Sequence, residues 1–247
     1  MTSEIIKQPP LKNGWSLDVI LGVHDNHRFF GKTRNELTDS PLSGGGFFLT
    51  FDINRQLVDF DEATYAKVIV DSLQSGNFLS PQLAGSDFIE KPPLYFWLGM
   101  GSVALFGAHE FAFRLPSILA SILACWLVYL FIREFTRDRV AAAIGFLVLL
   151  FSNAFFVFAR EARLDSSVVA AMLAALFFVV KGWKSEQYLF WVFPCLAVGF
   201  LFKSVIVLLI IPVILFYSLV YREWSYVKNK YLWRGFILSL AIVIPWH

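Results

Sequence analysis

The chain is 247 residues long, 57% hydrophobic and only 16% charged, with a mean hydropathy of +0.61. That balance excludes an ordinary soluble domain and identifies an integral membrane protein. A formal net charge of +2, with lysines and arginines set in loops between apolar runs, excludes a nucleic-acid partner and assigns those residues to membrane topology.

Three regions are expected in chain order: an atypical, poorly ordered segment 1–58, a polar loop 59–112 with interfacial helices, and a transmembrane helical domain 113–247. In the first region, residues 1–45 show no sustained periodicity, and Ser43-Gly44-Gly45-Gly46 reads as a flexible joint. The apolar patches 15–23 and 47–51 fall short of the roughly 20 residues of a spanning helix. A basic stretch followed by an apolar one, the mark of a signal peptide, is not evident. His24, Asp25 and His27 read as solvated loop residues, not as a metal cluster.

In the second region Asp59 is a helix N-cap candidate, with Glu62 placed three residues on as in a capping box. Ala66, Ile69, Val70 and Leu73 recur at helical spacing before Gly76 ends the pattern, which predicts an amphipathic interfacial helix. Asp61 and Glu62 have two readings: first-turn acids that favour the positive end of the helix dipole, or carboxylates held at a membrane face for chemistry. Further on, Glu90-Lys91-Pro92-Pro93 opens an aromatic, apolar helix whose prolines fix the approach of the chain. Lys91 is then either a snorkelling side chain or a cation presented to a ligand.

From residue 113 onward, apolar runs at 115–132, 140–158, 166–181, 188–202, 204–221 and 232–246 predict about six transmembrane helices. Cys125 and Cys195 lie inside these runs, as small buried hydrophobes do, and imply neither a disulfide framework nor a thiolate metal site. The connectors 133–139, 181–184 and 222–234 are net basic, which places them in the cytoplasm by the positive-inside rule. The segments 61–91 and 160–165 and the neighbourhood of Lys203 then share the outer face.

The ordered series Asp61-Glu62-x-x-Tyr65-Ala66, Ser75-Gly76-x-Phe78, Glu90-Lys91-Pro92-Pro93, Leu105-Phe106-Gly107, Arg114-Leu115-Pro116 and Ala162-Arg163-Leu164-Asp165 resembles the bacterial dolichyl-phosphate-mannose-protein mannosyltransferase-like glycosyltransferases. Within them it is most similar to the aminoarabinose transferase branch that modifies lipid A, and the likeness covers residues 58–247. The resemblance implies an all-α, polytopic membrane protein of GT-C type with periplasmic interfacial helices. It also implies an inner-membrane enzyme whose site faces the periplasm and moves a sugar, with inversion, from a polyprenyl-phosphate donor to a lipid A-type, glycan or protein acceptor.

Site residues follow from the same resemblance. Asp61 falls on the catalytic acid of the first periplasmic loop, Glu62 on its neighbour in the motif and Asp165 on a second acid. Glu90 falls on a carboxylate that takes part in holding a divalent metal cation, and Lys91 on the lysine that contacts the lipid phosphate. Arg163 and Lys203 are expected to assist at that phosphate, although the family often has Thr-Lys-Gly where this chain reads Phe202-Lys203-Ser204. The chemistry asks for such residues in any case, because a general base must face the acceptor while cations neutralise the departing phosphate.

Two features depart from the family pattern. Relatives carry a spanning helix just before the Asp-Glu motif and continue past Pro245-Trp246, so the expectation here is the transferase site residues without every acceptor-binding part. A non-catalytic membrane scaffold is the rival reading; a transporter fits less well, because the charges lie at the ends of the runs and not mid-span.

Overall fold

The computed structural model describes residues 53–57, 59–221 and 224–246. The expectations for residues 1–52, including the His24–His27 cluster and the Ser43–Gly46 joint, fall outside the described residues.

Helix α1 (Phe60–Ser75) starts where the Asp59 carboxylate accepts the Asp61 N–H at 3.0 Å and stops at Gly76, whose φ of 70° is the left-handed C-cap that glycine adopts freely. A two-residue hairpin follows, β1 (Gln82–Leu83) antiparallel to β2 (Ser86–Asp87). Side chains of α1 anchor it: Ser72 Oγ accepts the Gln82 N–H and Asp71 accepts the Ala84 N–H, each at 2.8 Å.

The apolar segments all fold as helix, namely α2 (Leu94–Phe106), α3 (Glu110–Thr136), α4 (Arg139–Leu150), α5 (Asn153–Ala159), α6 (Asp165–Gly182), α7 (Val192–Lys203), α8 (Ile210–Tyr221) and α9 (Lys230–Val243). Among the described residues three stretches are long and apolar enough to cross a membrane: α3, α6 and the 35-residue segment Glu186–Val220. A fourth is reached if α4 and α5, bent by 67° at Phe151-Ser152, count as one span. Two of the expected runs, 188–202 and 204–221, thus belong to one segment interrupted at Ser204, which has a φ of 54°. α9 keeps its helix but is 14 residues long, below spanning length.

One core runs through the molecule. Tyr65, Val68 and Ile69 of α1 pack with Tyr95 and Phe96 of α2, Phe113 of α3, and Leu164 and Val168 at the start of α6. The expected boundary between residues 112 and 113 falls inside α3 and inside this core, so it divides composition and not structure.

α3 and α6 lie side by side in the same direction. Near their starts Ser117 Oγ donates to the Arg163 carbonyl at 2.7 Å and accepts its N–H at 3.0 Å; near their ends Glu134 meets Lys181 at 3.1 Å. From Ser117 to Glu134 the helix rises about 25 Å, close to the hydrocarbon thickness of a bilayer. Large apolar side chains such as Leu119, Trp126, Val148 and Phe216 face outward, the arrangement of a protein solvated by lipid.

Candidate functional site

The site is built at the end of the bundle where α3 and α6 begin. Its foundation is Arg114, a fully buried arginine in the first turns of α3. Its Nε and Nη2 donate to Glu62 Oε1 and Oε2 at 2.7 and 2.9 Å. The remaining donors reach the backbone carbonyls of Ile53, Arg55 and Gln56. Glu62 Oε1 also accepts the Ala162 N–H at 2.8 Å. This fork joins α1, the 53–57 segment, α3 and the loop before α6, with every guanidinium donor engaged.

That geometry corrects two expectations for Glu62. Its side chain does not close a capping box onto Asp59, and a 1% exposed carboxylate with both oxygens bound does not meet a substrate. Glu62 is a strut that fixes the direction of α1, and so of its neighbour Asp61.

Above the strut lies a group of charges centred on Arg163. Its Nη2 meets Asp59 Oδ2 at 2.7 Å, its Nε meets Glu161 Oε2 at 2.8 Å, and its Nη1 approaches Asp61 Oδ2 at 3.7 Å. Arg55 adds a second cation to Glu161 at 3.4 Å. Burial alone lowers the Arg163 pKa, but Asp59, Glu161 and Asp61 outweigh it and raise the value above normal. Glu161 shows the opposite balance: burial pushes its carboxyl pKa up, and Arg163 offsets only part of the rise. Asp61 is the open member of the group, with its side chain 52% exposed. Next to this group, at the start of α6, Asp165 pairs with Lys203 from the end of α7 at 2.6 Å.

Tyr65, one helical turn after Asp61, connects the two pairs. Its hydroxyl pKa is pushed up to about 12 by burial first, then by Asp61, Asp165 and Glu90 against the pull of Arg163. The phenol therefore stays protonated. Glu90 is exposed; Lys91 is half-buried before the buried Pro92 and makes no ion pair among the described residues. No group of three or more His, Cys, Asp or Glu side chains able to hold a metal occurs among the described residues. Glu90, the residue expected to take part in holding a divalent cation, belongs to no such group among the described residues.

An apolar cavity of about 620 Å³ opens between α2, α3, α6 and α7, walled by Leu98, Leu105, Leu119, Leu123 and Ala171. Ser167 and Phe202, which also line it, are close sequence neighbours of Asp165 and Lys203, so the cavity begins beside that ion pair. The buried hydroxyls of Ser102 and Ser167, both lining residues, have no hydrogen-bond partner.

The sequence-expected residues Asp61 and Arg163 thus meet directly and Asp165 pairs with Lys203 close by, while Glu90 and Lys91 lie before α2 without a bond to either pair among the described residues. Arg114, Glu161 and the pairing role of Asp59 were not foreseen. Arg114-Leu115-Pro116 lies within the motif series, and its signal was a lone arginine opening an apolar run, where a charge is costly unless paired.

Known proteins resemble this chain in sequence and in fold. The family model for dolichyl-phosphate-mannose-protein mannosyltransferase matches residues 90–247. An undecaprenyl phosphate-alpha-4-amino-4-deoxy-L-arabinose arabinosyl transferase of Pseudomonas aeruginosa is 30% identical over 215 residues, covering 83% of this chain and 38% of that protein. The second such transferase of Proteus mirabilis is 28% identical over 209 residues, covering 81% of this chain and 38% of its own length. The crystal structure of ArnT from Cupriavidus metallidurans bound to undecaprenyl phosphate superposes with a TM-score of 0.74 at 25% identity, over 80% of this chain and 38% of that one. The chain therefore spans 38% of the length of these curated relatives. With a family model matched over more than half of its residues, an all-α membrane fold and the motif residues gathered at one end of it, the chain belongs to the dolichyl-phosphate-mannose-protein mannosyltransferase family.

Proposed function

We propose that this chain carries the donor-binding and catalytic part of a glycosyltransferase that uses a sugar linked to polyprenyl phosphate. The observation that carries the reading is the meeting of an open carboxylate, Asp61, with ion-paired Arg163 and Lys203 beside the start of an apolar cavity. A polyprenyl phosphate has the matching form, one anionic head on a long apolar tail. Relatives named for transfer of 4-amino-4-deoxy-L-arabinose from undecaprenyl phosphate support this donor class, as does the similar structure bound to undecaprenyl phosphate.

In this reading the prenyl tail lies along the cavity walled by Leu98, Leu119 and Leu123, and the phosphate draws on Lys203, Lys91 and Arg163. Lys203 and Arg163 are bound to Asp165 and Asp59 before the donor arrives, so phosphate entry competes for them and loosens their carboxylates. Asp61 takes the proton of an acceptor hydroxyl or phosphate as that oxygen attacks the anomeric carbon. The bond from that carbon to the phosphate oxygen breaks, and its electron pair leaves on the polyprenyl phosphate, where the cations meet the added charge. Attack from the face opposite the leaving group inverts the configuration. Tyr65 remains a neutral phenol and Glu62 a support, so neither takes the proton. The net-basic connectors at the far end of the bundle favour a cytoplasmic position there. They leave the transfer site on the periplasmic side of a bacterial inner membrane, where a lipid, glycan or protein acceptor reaches it.

Purified protein in lipid nanodiscs, supplied with radiolabelled polyprenyl-phosphate sugar and an acceptor lipid, tests this. Wild type is expected to transfer label, with Asp61→Asn reduced at least about 100-fold, the usual worth of a general base, and Lys91→Ala reduced about 100-fold by the loss of a cation facing the departing phosphate. Transfer that survives both substitutions unchanged contradicts the assignment.

A further inference from the structure

At the opposite end of the bundle, the last turns of α3, the turn into α4 and the end of α6 enclose a second cavity of about 450 Å³. Arg133, Arg137, Arg139, Lys181 and Lys184 line it, with Glu134 as the lone carboxylate among the lining residues. Glu134 is already shared by Lys181, at 3.1 Å, and Lys184. Among the described residues Arg133, Arg137 and Arg139 make no ion pair. The nearby Asp138 carboxylate is turned to cap α4, accepting the Val140 N–H at 2.8 Å. Leu130 and Phe177 supply an apolar wall.

A bias of cations toward one membrane face accounts for charge at this end. It does not account for a concave cavity, nor for the backbone that shapes it. Arg137 closes α3 with φ 58° and ψ 13°, a left-handed conformation that glycine ordinarily supplies at a helix end, because any Cβ there crowds the following carbonyl oxygen. The tight reversal brings Arg139, at the start of α4, to the same cavity as Arg133 and Arg137. A costly backbone conformation that places three unpaired guanidinium groups around one opening points to a ligand.

We propose that this cavity binds the phosphate group of an anionic phospholipid from the leaflet at that end of the bundle. Guanidinium forks match phosphate oxygens in pairs, and the volume is that of a ligand site. The cavity lies at the end of a spanning helix, at headgroup depth, and Leu130 and Phe177 give the glycerol and first acyl carbons an apolar surface. Free phosphate offers the same oxyanion chemistry without the apolar part. The site is remote from the transfer centre, so the outcome of a transfer assay does not bear on it.

The test uses the purified full chain in neutral detergent, with dioleoylphosphatidylglycerol, dioleoylphosphatidylcholine or sodium phosphate added, read by native mass spectrometry and thermal unfolding. The expected result is retention of phosphatidylglycerol, but not phosphatidylcholine, with a matching rise in Tm. Equal stabilisation by sodium phosphate upholds the oxyanion site and assigns it to the free anion. The triple variant Arg133→Gln, Arg137→Gln, Arg139→Gln is expected to weaken phosphatidylglycerol retention about tenfold or more, and the corresponding triple Arg→Lys variant to fall between it and wild type, since it keeps the charge but loses the paired fork. Arg137→Gly removes one cation while relieving the backbone, so it should bind phosphatidylglycerol more weakly yet be no less stable in the absence of lipid. The proposal is overturned if wild type holds phosphatidylglycerol no better than phosphatidylcholine and gains nothing from phosphate, or if Arg137→Gly and the glutamine triple retain it as wild type does.

Discussion

Replacing Glu62 by Gln separates support from chemistry in this site. The substitution keeps the side-chain volume but removes the charge that faces Arg114 at 2.7 and 2.9 Å, and it turns an amide NH2 toward donors that include the Ala162 N–H at 2.8 Å. Breaking one partner of a buried ion pair costs about 3–5 kcal/mol, because the other charge stays buried without compensation. For a chain of this size each kcal/mol moves Tm by about 2–4 °C, so a fall on the order of 6–20 °C is expected. Thermal unfolding in detergent, followed by the fluorescence of the eight tryptophans, measures it. Asp61→Asn is the control: that side chain is 52% exposed and its one ion pair is 3.7 Å long, so Tm should stay within about 2 °C of wild type while transfer is lost. The pair of substitutions Glu62→Leu and Arg114→Met leaves no charge buried but strips partners from the Ala162 N–H and from the Ile53, Arg55 and Gln56 carbonyls, so it should recover only part of the stability lost by Glu62→Gln. If Glu62→Gln leaves Tm within about 2 °C of wild type and abolishes transfer, the strut assignment is wrong and Glu62 acts in the chemistry.

Three further outcomes follow from the packing and the charge group. In Gly235→Ala, the new Cβ would stand 2.0 Å from the Phe190 carbonyl oxygen, a backbone atom with little room to retreat, so α9 must shift; a loss of about 1–3 kcal/mol should appear as a lower Tm. Gly101→Ala in α2, with nothing within 4 Å of its Cβ, should be neutral or gain up to about 1 kcal/mol from helix propensity. Burial holds the Glu161 pKa above its unfolded value, so the folded chain binds the extra proton more tightly. Its contribution is full below the unfolded carboxyl pKa of about 4.3 and is lost as pH rises through the folded value. Glu161→Gln should therefore flatten the decline of Tm as pH rises above about 4.3, read from unfolding curves at a series of pH values.

The class of the fold was legible because membrane solvation leaves a plain mark: long apolar runs need helices, and no described run became a strand. The break in the 35-residue apolar segment was legible too, since Lys203 separates the expected runs 188–202 and 204–221 and the helix ends there with Ser204 at φ 54°; that the two runs form one segment was not. The gathering of Asp61, Asp165 and Lys203 could be anticipated from topology, which sends all three to one end of the bundle. Their partners could not. Arg163 is expected at the phosphate, but nothing local places Asp59, 104 residues away in sequence, beside it, and the structure shows that pair at 2.7 Å. Glu62 shows the same limit: its three-residue spacing from Asp59 fits a cap, yet Arg114, 52 positions on, holds it instead. Spacing reports local bonds, while a buried arginine is settled by whichever carboxylate the fold brings to it.

The central claim is that Lys203, Arg163 and Lys91 receive a lipid-borne phosphate beside the apolar cavity. Binding of undecaprenyl phosphate and of undecaprenol to the purified chain, compared by native mass spectrometry in one detergent, tests it most directly. The account predicts that the phosphate form binds at least about tenfold more tightly, as one or more charge-assisted contacts require, and that Lys203→Gln together with Lys91→Gln erases the preference. Equal binding of the phosphate and the alcohol, or a preference that both substitutions leave intact, would contradict it.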